Sequence, residues 1–196
     1  VANLVLVHGF LNTGVVMTLL AARLRRAGHH CWVPTLKPWD GRGGIGAQAR
    51  QLKDYIESVL GAETPLVLIG FSMGALVGRF FMQELGGAER VRAFFSISGP
   101  HGGTWMAHLY PSQGVRELRP GSRWLRDLDE TAVERLRGVP LVGYWTPFDA
   151  VIRPPSSACW ALAEMVRVPA WMHLLMLWDR RVADDIIRRL AEVHSS

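Results

Sequence analysis

Three residues of this chain could do nucleophilic chemistry together if the fold brought them to one place: Ser72, Asp149 and His173. Ser72 lies in the stretch Val-Leu-Ile-Gly-Phe-Ser-Met-Gly-Ala (67–75), with a strand-like apolar run before it and a helix-like run after it. A glycine stands two positions to either side, Gly70 and Gly74. A serine hydroxyl is a weak nucleophile and needs a base beside it and open space for a carbonyl. A tight strand-to-helix corner supplies that space by lifting the hydroxyl out of the sheet, and it tolerates only small neighbours. The helix that follows aims unpaired N–H groups and its positive end at the corner, so the Met73 N–H is placed to receive an oxyanion.

Asp149 and His173 each come just after a strand-like run, Asp149 in Thr146-Pro147-Phe148-Asp149 and His173 in Pro169-Ala170-Trp171-Met172-His173. Their competitors sit in blander settings. Asp127 and Asp129 belong to a charged helical stretch with Glu130 and Glu134, and Asp179, Asp184 and Asp185 lie on or at the cap of the last helix. Among the histidines, His8 lies beside the first strand, His29 and His30 precede the second strand at the far edge and are expected to be exposed, and His194 is in the tail. His101 and His108 follow the fourth strand, where His101 is expected to fix its loop by a hydrogen bond.

The elements that must position these groups alternate. Residues 3–7, 29–33, 65–70, 91–97 and 139–145 read as strands, with a short sixth at 166–168. Helices are expected from Thr13, as cap, to Ala27, with Gly28 ending it, then at 47–60, 73–85 and 180–193. Such alternation implies a parallel sheet covered by helices on both faces, whose ligand sites lie beyond the carboxyl ends of the strands. Residues 105–138 form an unusually long connection, either an ordinary crossover or a small flap over the site, with Ser122 as cap for a helix from Arg123.

Length and composition set bounds. A chain of 196 residues, 49% hydrophobic and 20% charged, suits a single domain, 1–196, with one sizeable core. The formal net charge of +5 comes without a cluster of basic and aromatic residues, so no nucleic-acid partner is expected. The two cysteines, Cys31 and Cys159, and the scattered histidines suggest no metal site, and no cofactor is expected. No apolar run is long enough to span a membrane. No signal peptide is visible, and the chain starts at Val1 on a strand-like segment, so cytoplasmic and secreted locations both stay open.

Taken together, "LVLVHGF", "VLIGFSMGA", "SGPHGGT", "TPFDAVI" and "MHLLML", in this order and each at a strand end, resemble the α/β-hydrolase superfamily, above all its small bacterial lipases and serine esterases. The resemblance covers nearly the whole chain, though the family's two leading strands and any large cap insertion are missing from it. It implies a minimal α/β-hydrolase fold of about six mainly parallel strands. It also implies Ser72 as nucleophile, His173 as base, Asp149 as the acid that orients it, and the backbone N–H groups of Phe10 and Met73 as the oxyanion hole. In the family, the histidine at the place of His8 is structural. The expected activity is cleavage of carboxylic esters, of small-molecule or lipid type. Apolar residues near the motifs, Leu11, Trp105 and Trp171 among them, are expected to bind the acyl group. An acyltransferase or thioesterase using the same groups is the alternative. A non-catalytic protein on the same fold would be expected to have lost one of the three residues.

Overall fold

The computed structural model describes residues 1–193, so His194 lies outside the described residues. Six strands form one sheet: β1 (Asn3–Val7), β2 (His30–Trp32), β3 (Leu66–Phe71), β4 (Val91–Ile97), β5 (Leu141–Trp145) and β6 (Glu164–Arg167). Their order is β2-β1-β3-β4-β5-β6, and every neighbouring pair is parallel. A strand alternates its side chains between the two faces, so one buried on both faces must be apolar throughout. In β1, Leu4 and Leu6 point into the layer formed with α1 (Thr18–Arg26) and α6 (Arg180–Val193). Val5 and Val7 point the other way, to α2 (Ile45–Leu60), α3 (Met73–Glu84) and α5 (Arg123–Arg135). β3 splits in the same manner, with Leu66 and Leu68 on one side and Val67, Ile69 and Phe71 on the other.

Several elements depart from the sequence reading, among them α2, which opens at Ile45 rather than 47, and β5, which opens at Leu141 rather than 139. The helix expected from Thr13 opens as a single 3-10 turn, Gly14–Met17, and the Thr13 side chain makes no capping bond. The start of this segment is instead fastened to the loop after β2, where Gly14 N donates to Thr35 Oγ1 at 3.0 Å. The sixth strand covers Glu164–Arg167 rather than 166–168. It is a half-exposed edge strand, so it carries no apolar run to mark it, and Glu164 on it pairs with Arg189 of α6 at 2.5 Å.

The 105–138 connection divides in two. Its first part, a 3-10 turn at Trp105–His108 and the short helix α4 (Gln113–Glu117), lies at the carboxyl edge of the sheet. Its second part, α5, packs against α3 as a crossover helix. Ser122 caps α5 as expected, its Oγ accepting from Leu125 N at 3.2 Å. The α3–α5 contact closes around Arg79, which is fully buried. Its Nε donates to Gln83 Oε1 at 2.8 Å, and one terminal nitrogen donates to Leu128 O at 3.2 Å and pairs with Asp129 at 2.5 Å. Its guanidinium lies 4.6 Å from the centre of the Trp160 ring. A charge that deep is tolerable because it is paired, hydrogen-bonded and stacked.

Candidate active site

β3 ends at Phe71, α3 begins at Met73, and Ser72 is the single residue between them. Its backbone, φ 54° and ψ −127°, is a conformation that L-residues rarely hold. Ser72 N donates to Ile97 O of β4 at 2.9 Å, which pins the corner to the sheet. The need for glycine on either side is steric. A Cβ on Gly74 would come within 2.3 Å of His8 O and 2.5 Å of Val7 O, and one on Gly70 within 2.5 Å of Ala75 Cα. These contacts are with backbone and cannot be relieved by turning a side chain. Met73, as the first residue of α3, has an N–H with no carbonyl partner inside the helix.

Asp149 and His173 meet. His173 Nδ1 lies 2.8 Å from Asp149 Oδ2, and the other carboxylate oxygen, Oδ1, accepts from Val151 N and Ile152 N at 2.9 Å each. An ionised carboxylate only accepts, so Nδ1 carries the proton and Nε2 the lone pair. His173 Nε2 is buried without a hydrogen-bond partner, and His173 and Ser72 line the same cavity. The ring is held from the side by Phe71, at 4.8 Å between centroids. Burial pushes the Asp149 carboxyl up, but the hydrogen bond and charge of His173 and the Ile152 and Val151 N–H groups outweigh it and hold the group below its ordinary value.

Two buried threonines, which the sequence reading did not single out, fasten these loops together. Thr146 Oγ1, just after β5, donates to Ala170 O at 2.6 Å and so ties the Asp149 loop to the His173 loop. Thr104 Oγ1 donates to Val151 O at 2.7 Å and accepts from Arg153 N at 2.9 Å, tying the loop after β4 to the loop after β5. The position of Thr146 directly after a strand was the only sequence clue. Phe10 follows β1 on a bend in which Leu11 has φ 54°. Leu11 N donates to Trp39 O at 2.9 Å and Asn12 Nδ2 to Phe10 O at 2.8 Å, which fixes the bend and leaves the Phe10 N–H without a backbone partner among the described residues.

The other histidines and acids are engaged elsewhere. His8 Nε2 accepts from Leu36 N at 2.8 Å, and Nδ1 lies 2.9 Å from Gly9 O, so both ring nitrogens are used and the ring is neutral. Burial lowers its pKa further than its backbone hydrogen bonds raise it. His101 does fix its loop: Nε2 lies 2.7 Å from Ser96 Oγ and the ring stacks on Trp160 at 4.4 Å. Burial, and then the charge of Arg79, hold its pKa well below the usual imidazole value. His30 is exposed, as expected, whereas His29 is half-buried and its Nδ1 accepts from Ala2 N at 3.3 Å. Asp129 is committed to Arg79, Asp179 to Arg181, and Asp185 to Arg188, Arg189 and Tyr144.

Two cavities meet at Ser72. One of about 280 Å³ is walled by Met73, Pro100 and residues of the 104–118 segment, including Met106, Leu109, Tyr110, Val115 and Leu118. The other, of about 380 Å³, contains His173 with Leu11, Met172 and Leu174. Phe10, Ser72 and Val151 border both. Leu11 therefore lines the second cavity. Trp105 and Trp171 line neither: Trp105 is stacked on His108 and Trp171 on Phe148, both facing solvent.

The profile of the alpha/beta hydrolase family matches residues 4–195. Among solved structures, the chain is similar to the mature form of the Bacillus licheniformis lipase BlEst2. The TM-score is 0.76 at 11% identity, over 96% of this chain and 91% of that one. It is similar to a polyneuridine aldehyde esterase, with a TM-score of 0.66 at 16% identity over 97% and 99% of the two chains. It also resembles Aspergillus fumigatus lipase B, with a TM-score of 0.74 at 15% identity over 92% of this chain and 51% of that one. At such identities the likeness is one of fold. No curated protein matches the sequence. The six-stranded parallel sheet, without a large cap, and the match over nearly its full length show that the chain belongs to the alpha/beta hydrolase family.

Proposed function

We propose that this hydrolase cleaves carboxylic esters through Ser72, His173 and Asp149. One observation carries the reading: His173 is hydrogen-bonded to Asp149 through Nδ1, and its buried, unpartnered Nε2 belongs to the cavity that Ser72 lines. In the first half-reaction Nε2 takes the Ser72 proton as Oγ attacks the ester carbonyl carbon. The carbonyl oxygen, now negative, is received by the N–H groups of Phe10 and Met73. As the tetrahedral carbon collapses, its bond to the alcohol oxygen breaks, and the imidazolium returns the proton to that oxygen. Asp149 holds the productive tautomer and balances the imidazolium charge. Water then repeats the sequence on the acyl-enzyme, losing a proton to Nε2, and the acid leaves as Ser72 is restored.

The likeness to lipases and an esterase supports an ester rather than another hydrolysable bond. The apolar walls of both cavities suit uncharged acyl and alcohol groups, which gain about 0.8 kcal/mol for each methylene buried. The test combines a fluorophosphonate label with p-nitrophenyl ester hydrolysis. The parent protein is expected to be labelled on the peptide containing Ser72, and Ser72→Ala to lose both the label and at least about 10⁴-fold in turnover while staying folded. Folded Ser72→Ala with parental turnover would move the chemistry elsewhere. Adding an alcohol or thiol to the assay reads whether water is the preferred acceptor of the acyl group.

A further inference from the structure

The loops that leave the carboxyl edge of the sheet carry an apolar rim. All six aromatic side chains exposed among the described residues sit on these connections: Trp39 after β2, Trp105 and Tyr110 after β4, Phe148 after β5, and Trp171 and Trp178 after β6. Trp105 and Trp171 are 62% and 74% exposed, although an indole loses more than any other side chain by staying in water. The rim is continuous with the cavities, because Leu11, Leu109 and Met172 are exposed and also line them. An apolar patch of this kind, bordering a ligand cavity, marks an interaction surface.

The charges on the same loops say what the surface meets. Lys37, Arg42, Arg116 and Arg153 are exposed there. The four acids of these loops are all engaged: Asp40 pairs with Arg42 at 3.0 Å, Glu117 Oε2 accepts from Ile45 N at 2.7 Å, Asp149 is buried against His173, and Asp179 pairs with Arg181 at 2.6 Å. Lys37, Arg116 and Arg153 are thus left facing outward on an apolar rim with no exposed acid to answer them. A second copy of the chain would set these cations against their own kind. We infer that this face docks on an anionic lipid surface. Tryptophan and tyrosine rings settle at the headgroup level of a bilayer, and cations near an anionic leaflet are drawn to it. On the ester-hydrolase reading above, the docked orientation also opens both cavities toward the lipid, so an apolar ester enters without crossing bulk water.

Co-sedimentation with vesicles tests the docking apart from the chemistry. The parent protein and Ser72→Ala are expected to bind equally to phosphatidylcholine vesicles containing about a third phosphatidylglycerol, because docking does not use the nucleophile. Arg153→Gln and Arg116→Gln should each weaken binding about fivefold, from the usual contribution of one cation near the surface. Trp105→Ala combined with Trp171→Ala should weaken it more, with an unchanged far-ultraviolet spectrum. High salt should release the protein. No binding overturns the inference, as does equal binding to pure phosphatidylcholine. A self-association abolished by the tryptophan substitutions, without vesicle binding, would also overturn it and make the face a contact between copies. If Ser72→Ala still turns over esters while both proteins bind vesicles, the catalytic reading fails and the docking stands.

Discussion

Replacing Asp149 by asparagine should disable the site by changing which nitrogen of His173 carries the proton. Asp149 has three donors around it: Val151 N and Ile152 N on Oδ1, each at 2.9 Å, and His173 Nδ1 on Oδ2 at 2.8 Å. An asparagine of the same shape has one acceptor oxygen. Turning its NH₂ toward the two backbone N–H groups would leave both unsatisfied in a buried loop, at about 1–3 kcal/mol each. Keeping its oxygen on them costs only the single bond to His173 as it now stands. The NH₂ therefore faces Nδ1, which must then accept, and the ring proton moves to Nε2. The nitrogen in the Ser72 cavity becomes a donor and can no longer take the serine proton. The same substitution in a serine protease costs about 10⁴ in kcat, equivalent to about 5 kcal/mol of transition-state stabilisation, and a loss of that size is expected here. The assay is kcat and KM for p-nitrophenyl butyrate, with circular dichroism to establish that the variant is folded. Asp149 lines neither cavity, so KM should change little. A folded Asp149→Asn variant with kcat within tenfold of the parent would refute the reasoning.

Stability should also report on these positions. Gly74→Ala places a methyl group 2.3 Å from His8 O, so α3 or the end of β1 must shift. A loss of about 3 kcal/mol, at the upper end for overpacking, should lower Tm by about 6–12 °C in a domain of this size, and a Tm within 2 °C of the parent would count against the close approach. The depressed Asp149 pKa makes a separate prediction. Because the folded value lies below the ordinary 3.8, its contribution is complete above that pH and is lost as pH falls through the depressed value. The stability gap between the parent and Asp149→Asn, read by urea unfolding, should narrow as pH falls below about 3.8. A gap that stays constant down to pH 3 would mean that the carboxylate has no such linkage.

The sequence alone determined the sheet and the corner. Apolar runs such as Leu4–Val7 and Leu66–Phe71 can be buried on both faces only in a covered parallel sheet, and a serine between Gly70 and Gly74 at a strand–helix junction leaves little other backbone to adopt. Chain order then placed Asp149 and His173 at strand ends, because parallel strands all finish at one edge. What lay beyond the sequence was whatever depends on which loops touch. The Asp149–His173 contact is held by Thr146 reaching Ala170 O, a bond between residues 24 apart in the chain that no local pattern records. The division of 105–138 into a cavity wall and a crossover helix hinges on α5 finding Arg79 and Gln83 on α3. Trp105 and Trp171 show the same limit from the other side. An apolar residue beside a motif can face the cavity or the solvent with identical sequence, and only the packing around it decides which.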